Sequence, residues 1–190
     1  MHGELNQFVR NDVWELAPRP KGVHVIGTKW IFKNKTDEDG EIIRNKSQSV
    51  AQGYTQVEGV DFDKSFAPVV RLESIRILMS IAYTMNFKLY QMDVKCAFPN
   101  GYLNEEVFVE QPKGFEDSHF SDYVLRLKKA LYGLKQAPRA WYDRLTQYLL
   151  DRGFKRRYAD RTLFVKNDED YLLVAQVYVN DIVFRATIDA

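Results

Sequence analysis

Residues 171–184 read YLLVAQVYVNDIVF, two runs of aliphatic and aromatic residues separated by Asn180 and Asp181. Such runs favour β-strands, and a polar pair between them favours a turn, so we predict a hairpin with Asn180-Asp181 at its tip. Much earlier in the chain, a strand-like run from Lys88 to Val94 brings Asp93 near the end of its strand. The two aspartates can therefore meet at one sheet edge. There we expect a site for divalent cations, because Mg²⁺ prefers hard oxygen ligands and often shares them with phosphates.

The rest of the pattern predicts an α+β fold, with helices packed on an antiparallel sheet. One helix is predicted from Ser74 to Met85 with Ser74 as its cap, and another from Pro138 to near Gly153. Their apolar faces would consist of Ile75, Leu78, Met79 and Ala82 in the first and Trp141, Leu145, Tyr148 and Leu149 in the second. Further strands are predicted at residues 23–33, 41–44 and 162–166, with turns at residues 36–40 and 167–170.

The composition indicates a globular protein without a strong overall charge. The chain has 190 residues, 45% of them hydrophobic, and carries 27 Lys and Arg against 26 Asp and Glu. Any basic surface must therefore come from local clusters, as at Lys128-Lys129 and Arg152–Arg157, although an isolated cluster is more often a solvated face. The lone Cys96 excludes an intramolecular disulfide framework, and no apolar run approaches the roughly 20 residues of a membrane span. We expect a soluble, intracellular protein with no membrane partner.

Two other segments are candidates for substrate contact. Phe98 follows Asp93 closely and is expected to lie under an incoming sugar, where it would exclude a 2′-hydroxyl; the alternative is a core aromatic. Residues 131–139, LYGLKQAPR, combine a glycine, two basic residues and a helix start. Backbone amides and cations in such a segment can contact phosphates or a templating base. The alternative for this segment is a purely structural helix entry.

The chain resembles the reverse transcriptases of copia-type long-terminal-repeat retrotransposons, plant copies in particular, over nearly its whole length. The resemblance is specific because it rests on many separate motifs. They are Lys29–Lys33, Gly53–Gln56, Gly59–Phe62, Phe66–Val69, Ser74–Arg76, Gln91–Lys95, Ala97-Phe98, Asn100-Gly101, Gln111–Phe115, Leu131–Tyr142 and Tyr178-Val179.

This resemblance implies a right-hand polymerase, with mostly fingers and the first palm elements from about residue 1 to 90 and mostly palm from about 91 to 190. It implies an RNA or DNA template with its primer, deoxynucleoside triphosphates, and two Mg²⁺ ions that Mn²⁺ can replace. Asp93, the Val94 carbonyl and Asp181 would bind the metal, with Asn180 at a degenerate catalytic position. Nucleotide and template would contact Phe98, Tyr132, Gly133, Lys135 and, on the fingers side, Lys29, Lys33 and Lys46.

Three positions depart from the family's motifs. The hairpin of the family carries two adjacent aspartates, whereas this chain has Asn180 before Asp181. Residues 47–49 read SQS where the family usually has Ala-Arg-Leu, and Pro99 replaces an expected leucine. Because a neutral amide removes one negative charge beside two dications, we expect a poor or inactive polymerase whose fold survives.

The resemblance also implies what an intact element would add to this chain. We expect a fragment that lacks the thumb and the ribonuclease H domain, and that belongs to a polyprotein which also contains an integrase. Two alternatives remain. One is a non-catalytic nucleic-acid-binding remnant that uses Lys135, Arg139 and the cluster Arg152–Arg157. The other is an unselected pseudogene product that does not accumulate.

Overall fold

The computed structural model describes residues 1–168 and 172–186. It contains three α-helices and eleven β-strands among those residues. In chain order they are α1 (His2–Arg10), β1 (Trp14–Ala17), β2 (Val25–Ile26), β3 (Thr28–Thr36), β4 (Ile42–Ala51), α2 (Leu72–Thr84), β5 (Tyr90–Asp93), β6 (Tyr102–Val109), β7 (Val124–Lys129), α3 (Ala137–Asp151), β8 (Lys155–Arg156), β9 (Leu163–Asn167), β10 (Leu172–Tyr178) and β11 (Asp181–Ala186).

The first of two compact units comprises residues 1–65 and 98–140. Its sheet has the strand order β1-β7-β6-β2, in which β2 and β6 run parallel and the other pairs antiparallel. Strands β3 and β4 form a separate two-stranded ribbon. The apolar side chains of the sheet meet those of α1 and of residues 130–137 in one core, whose largest fully buried members are Phe8, Val13, Ile26, Val109 and Leu131.

The second unit comprises residues 66–97 and the described residues from 141 onward. Its five strands are all antiparallel, in the order β5-β11-β10-β9-β8. Strands β9 to β11 bury Phe164, Ala175, Val177 and Ile182, and α3 buries Trp141, Tyr142, Leu145 and Leu149. The chain therefore combines helices with mixed and antiparallel sheets.

Most predicted elements are present, and the differences have local causes. The prediction that Ser74 caps the first long helix is wrong, because α2 begins at Leu72 and the cap position, Arg71, makes no side-chain capping bond. Ser74 instead lies inside the helix and bonds through its hydroxyl to the carboxylate of Asp160. Met79 and Tyr148, predicted on apolar faces, are exposed. The turn predicted at residues 167–170 lies partly outside the described residues, which end at Asp168 before resuming at Leu172.

The two compact units interleave along the sequence, because each is built from two separate segments. Among the described residues, no helix is both long and apolar enough to cross a bilayer.

Candidate active site

The two aspartates singled out from the sequence lie directly opposite each other in the second unit. Asp181, the first residue of β11, is the Cα partner of Asp93, the last residue of β5. Side chains alternate between the faces of a strand, and directly opposed residues share a face. The next pair along, Ile182 and Met92, therefore lies on the other face, where Ile182 is buried. This alternation turns both carboxylates to the same side of the sheet edge.

Amide groups surround these carboxylates. The Asn180 side chain donates a hydrogen bond from Nδ2 to Oδ1 of Asp93. The side chain of Gln91 donates from Nε2 to Oδ1 of Asp181 at 3.0 Å, and the Val94 backbone N–H donates to the Asn180 carbonyl at 2.7 Å. Two like charges placed directly opposite repel each other, and the side-chain amides of Asn180 and Gln91 offset this repulsion by donating to the carboxylates.

The hairpin tip differs by one residue from the sequence prediction. The turn consists of Val179 and Asn180, because Tyr178 and Asp181 are already paired as the last and first residues of their strands. Val179 has a φ of +54°. Tight hairpin turns require such a positive φ at their first central residue, and glycine or asparagine normally supplies it. The Val179 carbonyl accepts a hydrogen bond of 2.7 Å from Nε1 of Trp141.

The oxygen atoms at this edge suit a hard divalent cation, but they carry less negative charge than those of a fully acidic site. Asp93 and Asp181 offer carboxylate oxygens, whereas the amide of Asn180 turns a donor toward Asp93. Within residues 1–168 and 172–186, no group of three or more His, Cys, Asp and Glu side chains is placed to hold a metal ion. A cation at this edge would therefore have two carboxylates as its charged ligands.

The candidate residues around position 132 all belong to the first unit. The half-buried Phe98 ring lies 5.0 Å from that of Tyr132, measured between centroids. Gly133 has a φ of +92°. Lys135 donates from Nζ to the Gln56 carbonyl at 2.9 Å, and its ammonium lies 5.4 Å above the Phe62 ring. The charge of Lys135 is therefore engaged within the protein.

A buried amide pair fixes this same segment, and it was not predicted from the sequence. Gln56 donates from Nε2 to Oε1 of Gln136 at 3.0 Å, and Gln56 Oε1 accepts the backbone N–H of Lys135 at 2.9 Å. Both glutamines are almost inaccessible, at 4% and 2% exposure. They stand inside the motifs GYTQ and LKQ, but sequence gives no sign that two distant glutamines meet.

The ribbon of β3 and β4 carries the remaining candidates, Lys29, Lys33 and Lys46, all exposed. Lys33 and Lys46 are direct cross-strand partners, as are Lys35 and Arg44. Because alternate residues share a face, these four cations and Lys29 lie on one side of the ribbon, which we call the basic face. None of the five takes part in the ion pairs found among the described residues. Lys35 and Arg44 were not predicted from the sequence, and the strand register places them on this face.

The structure thus brings some predicted site residues together within each unit. Asp93, Val94, Asn180 and Asp181 meet in the second unit, and Phe98 meets Tyr132 beside Gly133 in the first. The prediction that both groups serve one site stays a prediction.

Comparisons with known proteins agree with these motifs. A family model described as reverse transcriptase (RNA-dependent DNA polymerase) matches residues 11–188. The retrovirus-related Pol polyprotein from transposon RE2 of Arabidopsis thaliana is 44% identical over 183 residues, which cover 96% of this chain and 13% of the relative. The corresponding polyprotein from transposon TNT 1-94 of Nicotiana tabacum is 38% identical over 182 residues, or 95% of this chain and 14% of the relative.

A more distant match is the Ty1-NL2 Gag-Pol polyprotein of Saccharomyces cerevisiae, 27% identical over 159 residues. The chain spans only a small part of the length of all three relatives. The family match nevertheless covers nearly all of this chain, and the plant relatives are Pol polyproteins of copia-type transposons. The chain therefore belongs to the reverse transcriptase family, as the reverse transcriptase domain of a transposon Pol polyprotein.

Proposed function

We propose that this domain is the fingers-and-palm part of an RNA-directed DNA polymerase, which joins deoxynucleotides to a primer hydroxyl on an RNA or DNA template. The observation that supports this most is the register of β5 and β11, which sets Asp93 opposite Asp181 at a sheet edge. Fingers would come mostly from about residue 1 to 90, together with the first palm elements, and palm mostly from about residue 91 to 190. Integrase and ribonuclease H would accompany it in a whole polyprotein.

The acidic pair would bind the metal ions of the reaction. Mg²⁺, or Mn²⁺ in its place, would be held by the carboxylates of Asp93 and Asp181 and by the Val94 carbonyl. Bound there, a pair of such ions stabilises the attacking and leaving oxygens of a phosphoryl displacement. The protein's contribution is to hold both carboxylates on one face, which the hydrogen bonds of Gln91 and of Val94 with the hairpin support.

The first unit would bind the nucleotide and the template. The Phe98 ring, supported by Tyr132, would limit the space beside the sugar and so favour deoxynucleotides. Gly133 would let the backbone approach the nucleotide, and Lys135 would hold this segment in place through Gln56. Lys29, Lys33 and Lys46 would contact phosphates, together with Lys35 and Arg44 of the basic face.

We further propose that this copy is catalytically impaired. The Asn180 amide supplies no negative charge. It donates a hydrogen bond to Asp93, so that Oδ1 of this carboxylate is already occupied. If the missing charge is worth a few kcal/mol in the transition state, the rate falls on the order of a hundredfold to several thousandfold.

Primer extension on an RNA template with Mg²⁺ or Mn²⁺ tests both parts of the proposal. The unmodified chain and Asn180→Asp are compared at equal concentration. We expect the unmodified chain to incorporate nucleotides at least about a hundredfold more slowly than the variant. The matched control is Asn180→Asp combined with Asp181→Asn, which has the net charge of the original chain and should be inactive. Incorporation by the unmodified chain at the rate of Asn180→Asp would contradict the impairment. Inactivity of Asn180→Asp would show that one restored carboxylate is not enough.

A second candidate function, nucleic-acid binding without catalysis, is favoured by the basic face. Five cations share one side of the ribbon although two pairs of them stand directly opposite each other, an arrangement that costs stability. Such a surface suits a phosphate backbone. Binding to it releases counterions from the nucleic acid, and because this release is less favourable at high salt, the affinity falls as the salt concentration rises. Salt-dependent binding of an RNA–DNA duplex by both the unmodified chain and Asn180→Asp, with no incorporation by either, would favour this function.

A further inference from the structure

We propose that Trp141 is a positioning residue for the hairpin of residues 178–181, because its indole N–H holds the Val179 carbonyl. The inference rests on the proposed function of Asp93 and Asp181, and it concerns how the hairpin is kept in place. Neither the sequence motifs nor the family comparison assigns this role to Trp141.

The turn needs an external partner because of the residue at its first position. Val179 has a φ of +54°, a conformation in which a β-branched side chain is a marked outlier. Val179 is 38% exposed, so burial of its side chain offsets only part of this strain. Strained backbone of this kind persists only where the surroundings hold it. The 2.7 Å hydrogen bond from Trp141 Nε1 acts directly on the strained residue.

Helix α3 offers this donor from a fixed position. Trp141 is only 6% exposed, and its neighbour Tyr142 donates from its hydroxyl to the Arg161 carbonyl at 2.6 Å. The two adjacent side chains therefore tie the helix to two separate loops of the same unit. An indole held in this way has little freedom to turn from Val179, and a buried N–H is costly to leave unpaired.

The position of the turn carries over to the acidic pair. Asn180, the next residue, accepts the Val94 N–H at 2.7 Å and donates its amide to Asp93. A shift of Val179 would move Asn180 and the start of β11, and with them Asp181. Trp141 thus acts on Asp93 and Asp181 through the hairpin and without touching either carboxylate.

The exchange rate of the Val94 amide hydrogen tests this role, and the measurement does not depend on catalytic activity. Trp141→Phe keeps most of the aromatic volume and removes the donor. We expect Val94 to exchange about fivefold to tenfold faster in this variant, the change that loss of one hydrogen bond produces. The amides of Phe164 and Ala175, in the middle of the same sheet, should keep their rates and serve as the internal reference.

Glycine at the strained position supplies the decisive comparison. Because glycine adopts a positive φ without strain, Val179→Gly should make the turn independent of the indole. In the double variant Trp141→Phe with Val179→Gly, Val94 should return to within about twofold of the Val179→Gly chain. Equal acceleration of Val94, Phe164 and Ala175 in Trp141→Phe, or no rescue by glycine, would overturn the proposal and leave Trp141 as a core residue.

Two further measurements separate this inference from the proposed function. In the unmodified chain the indole N–H of Trp141 should exchange more slowly than that of the more exposed Trp30, which also donates to a carbonyl; equal rates would contradict the hydrogen bond even if Trp141→Phe does not fold. Electron paramagnetic resonance can measure how tightly Asn180→Asp binds Mn²⁺, and we expect weaker binding when Trp141→Phe is added to that variant. If Asn180→Asp bound no Mn²⁺, the proposed metal site would be contradicted. The exchange rates would still decide the role of Trp141.

Discussion

Residues 131–136 of the first unit and residues 178–181 of the second are both turns that precede or join regular elements, but they are held in different ways. In the first, the backbone itself is in contact: a β-carbon on Gly133 would lie 2.1 Å from the Ala51 carbonyl oxygen, and one on Gly53 would lie 2.1 Å from the Gly133 carbonyl oxygen. In the second, the turn is partly exposed and is held by hydrogen bonds from Trp141 and Val94.

The difference bears on how such a domain can change. A segment held by backbone contact has no room for a methyl group, so its sequence is fixed by packing. A turn held by hydrogen bonds to its backbone accepts several side chains, and asparagine is comfortable at such a position. Asn180 therefore stands, at little cost to the fold, where the proposed mechanism calls for a carboxylate. Under that proposal the chemistry of the domain is lost more easily than its structure, because the affected residue lies on the more tolerant of the two turns.

The strongest test of this difference is Gly133→Ala. The alanine would need a φ of +92°, and its β-carbon would also meet Val50 Cγ1 at 2.5 Å, so the segment must move away from β4. We expect a loss of more than about 4 kcal/mol in the free energy of unfolding, or no folded protein. Chemical denaturation followed by circular dichroism measures this.

Gly59→Ala is the matched control for the clash. Gly59 has a φ of +81°, and a β-carbon there would meet nothing within 4 Å. Only the conformational penalty remains, about 1 to 2 kcal/mol. If both variants lost the same stability, the cost would come from φ alone, and the contact between Gly133 and Ala51 would not distinguish the two turns.

The next effect in size concerns the amide pair behind the first turn. Gln136→Leu leaves the buried Gln56 Nε2 without its acceptor, which should lower the free energy of unfolding by about 1 to 3 kcal/mol. Gln147→Leu is the control, because Gln147 is exposed on α3 and its side chain donates to Asp151 within its own helix. Its effect should stay within about 0.5 kcal/mol. If urea unfolding showed equal losses of stability for Gln136→Leu and Gln147→Leu, the pair of Gln56 and Gln136 would not stabilise residues 131–136.

The sequence predicted those parts of the molecule that depend on local pattern. Runs of aliphatic, β-branched and aromatic residues predicted β9 to β11 and the placement of Asp93 near a strand end, and the helix signals at Pro138 and Gly153 bracket α3. Ser74 misled because its preference for a cap is weaker than the tendency of Leu72 and Glu73 to join the helix.

What the sequence could not give are the contacts between distant segments. Gln56 and Gln136 meet across many residues, and nothing in either motif indicates a partner. The basic face depends on strand register, which pairs Lys33 with Lys46 only because the turn near residue 40 has its particular length. The positive φ of Val179 is likewise a property of the hairpin rather than of the residue, which by itself avoids that conformation.

The stability of the chain should depend on pH through a carboxylate of the second unit. Asp160 of the second unit accepts hydrogen bonds from Thr162, Ser74 and Gln176. Burial is the largest single influence on its pKa and acts to raise it, but these hydrogen bonds together outweigh burial and hold the pKa below its ordinary value of 3.8. The stability this group provides is therefore complete above the unfolded pKa, near 4, and is lost as the pH falls through the lower folded pKa.

Asp160→Asn tests this linkage. Urea unfolding between about pH 3 and about pH 6 should show a smaller loss of stability on acidification in this variant than in the unmodified chain. The amide pair of Gln56 and Gln136 does not titrate, so the loss caused by Gln136→Leu should be constant over the same range. The control, Asp63→Asn, removes an exposed carboxylate and should leave the slope unchanged. A parallel shift of the whole curve in Asp160→Asn would mean that the carboxylate acts by packing and not by charge.

The smallest effect on stability is expected at the surface of the first unit, where charge is arranged against stability rather than for it. Lys46→Gln removes the like-charge pair with Lys33 and should raise the free energy of unfolding by about 0.2 to 1 kcal/mol.

Lys46→Gln should also weaken binding to an RNA–DNA duplex. Because one phosphate contact is lost, the negative slope of log K against log salt should become less steep by about one. Fluorescence anisotropy at several salt concentrations measures the affinity and its salt slope. Lys64→Gln removes an exposed cation outside the ribbon and should alter neither the stability nor the binding of the duplex. If Lys46→Gln gained stability and still bound the duplex with the original salt slope, the basic face would not be a nucleic-acid surface, and the cost of opposing Lys33 and Lys46 would have no binding function to explain it.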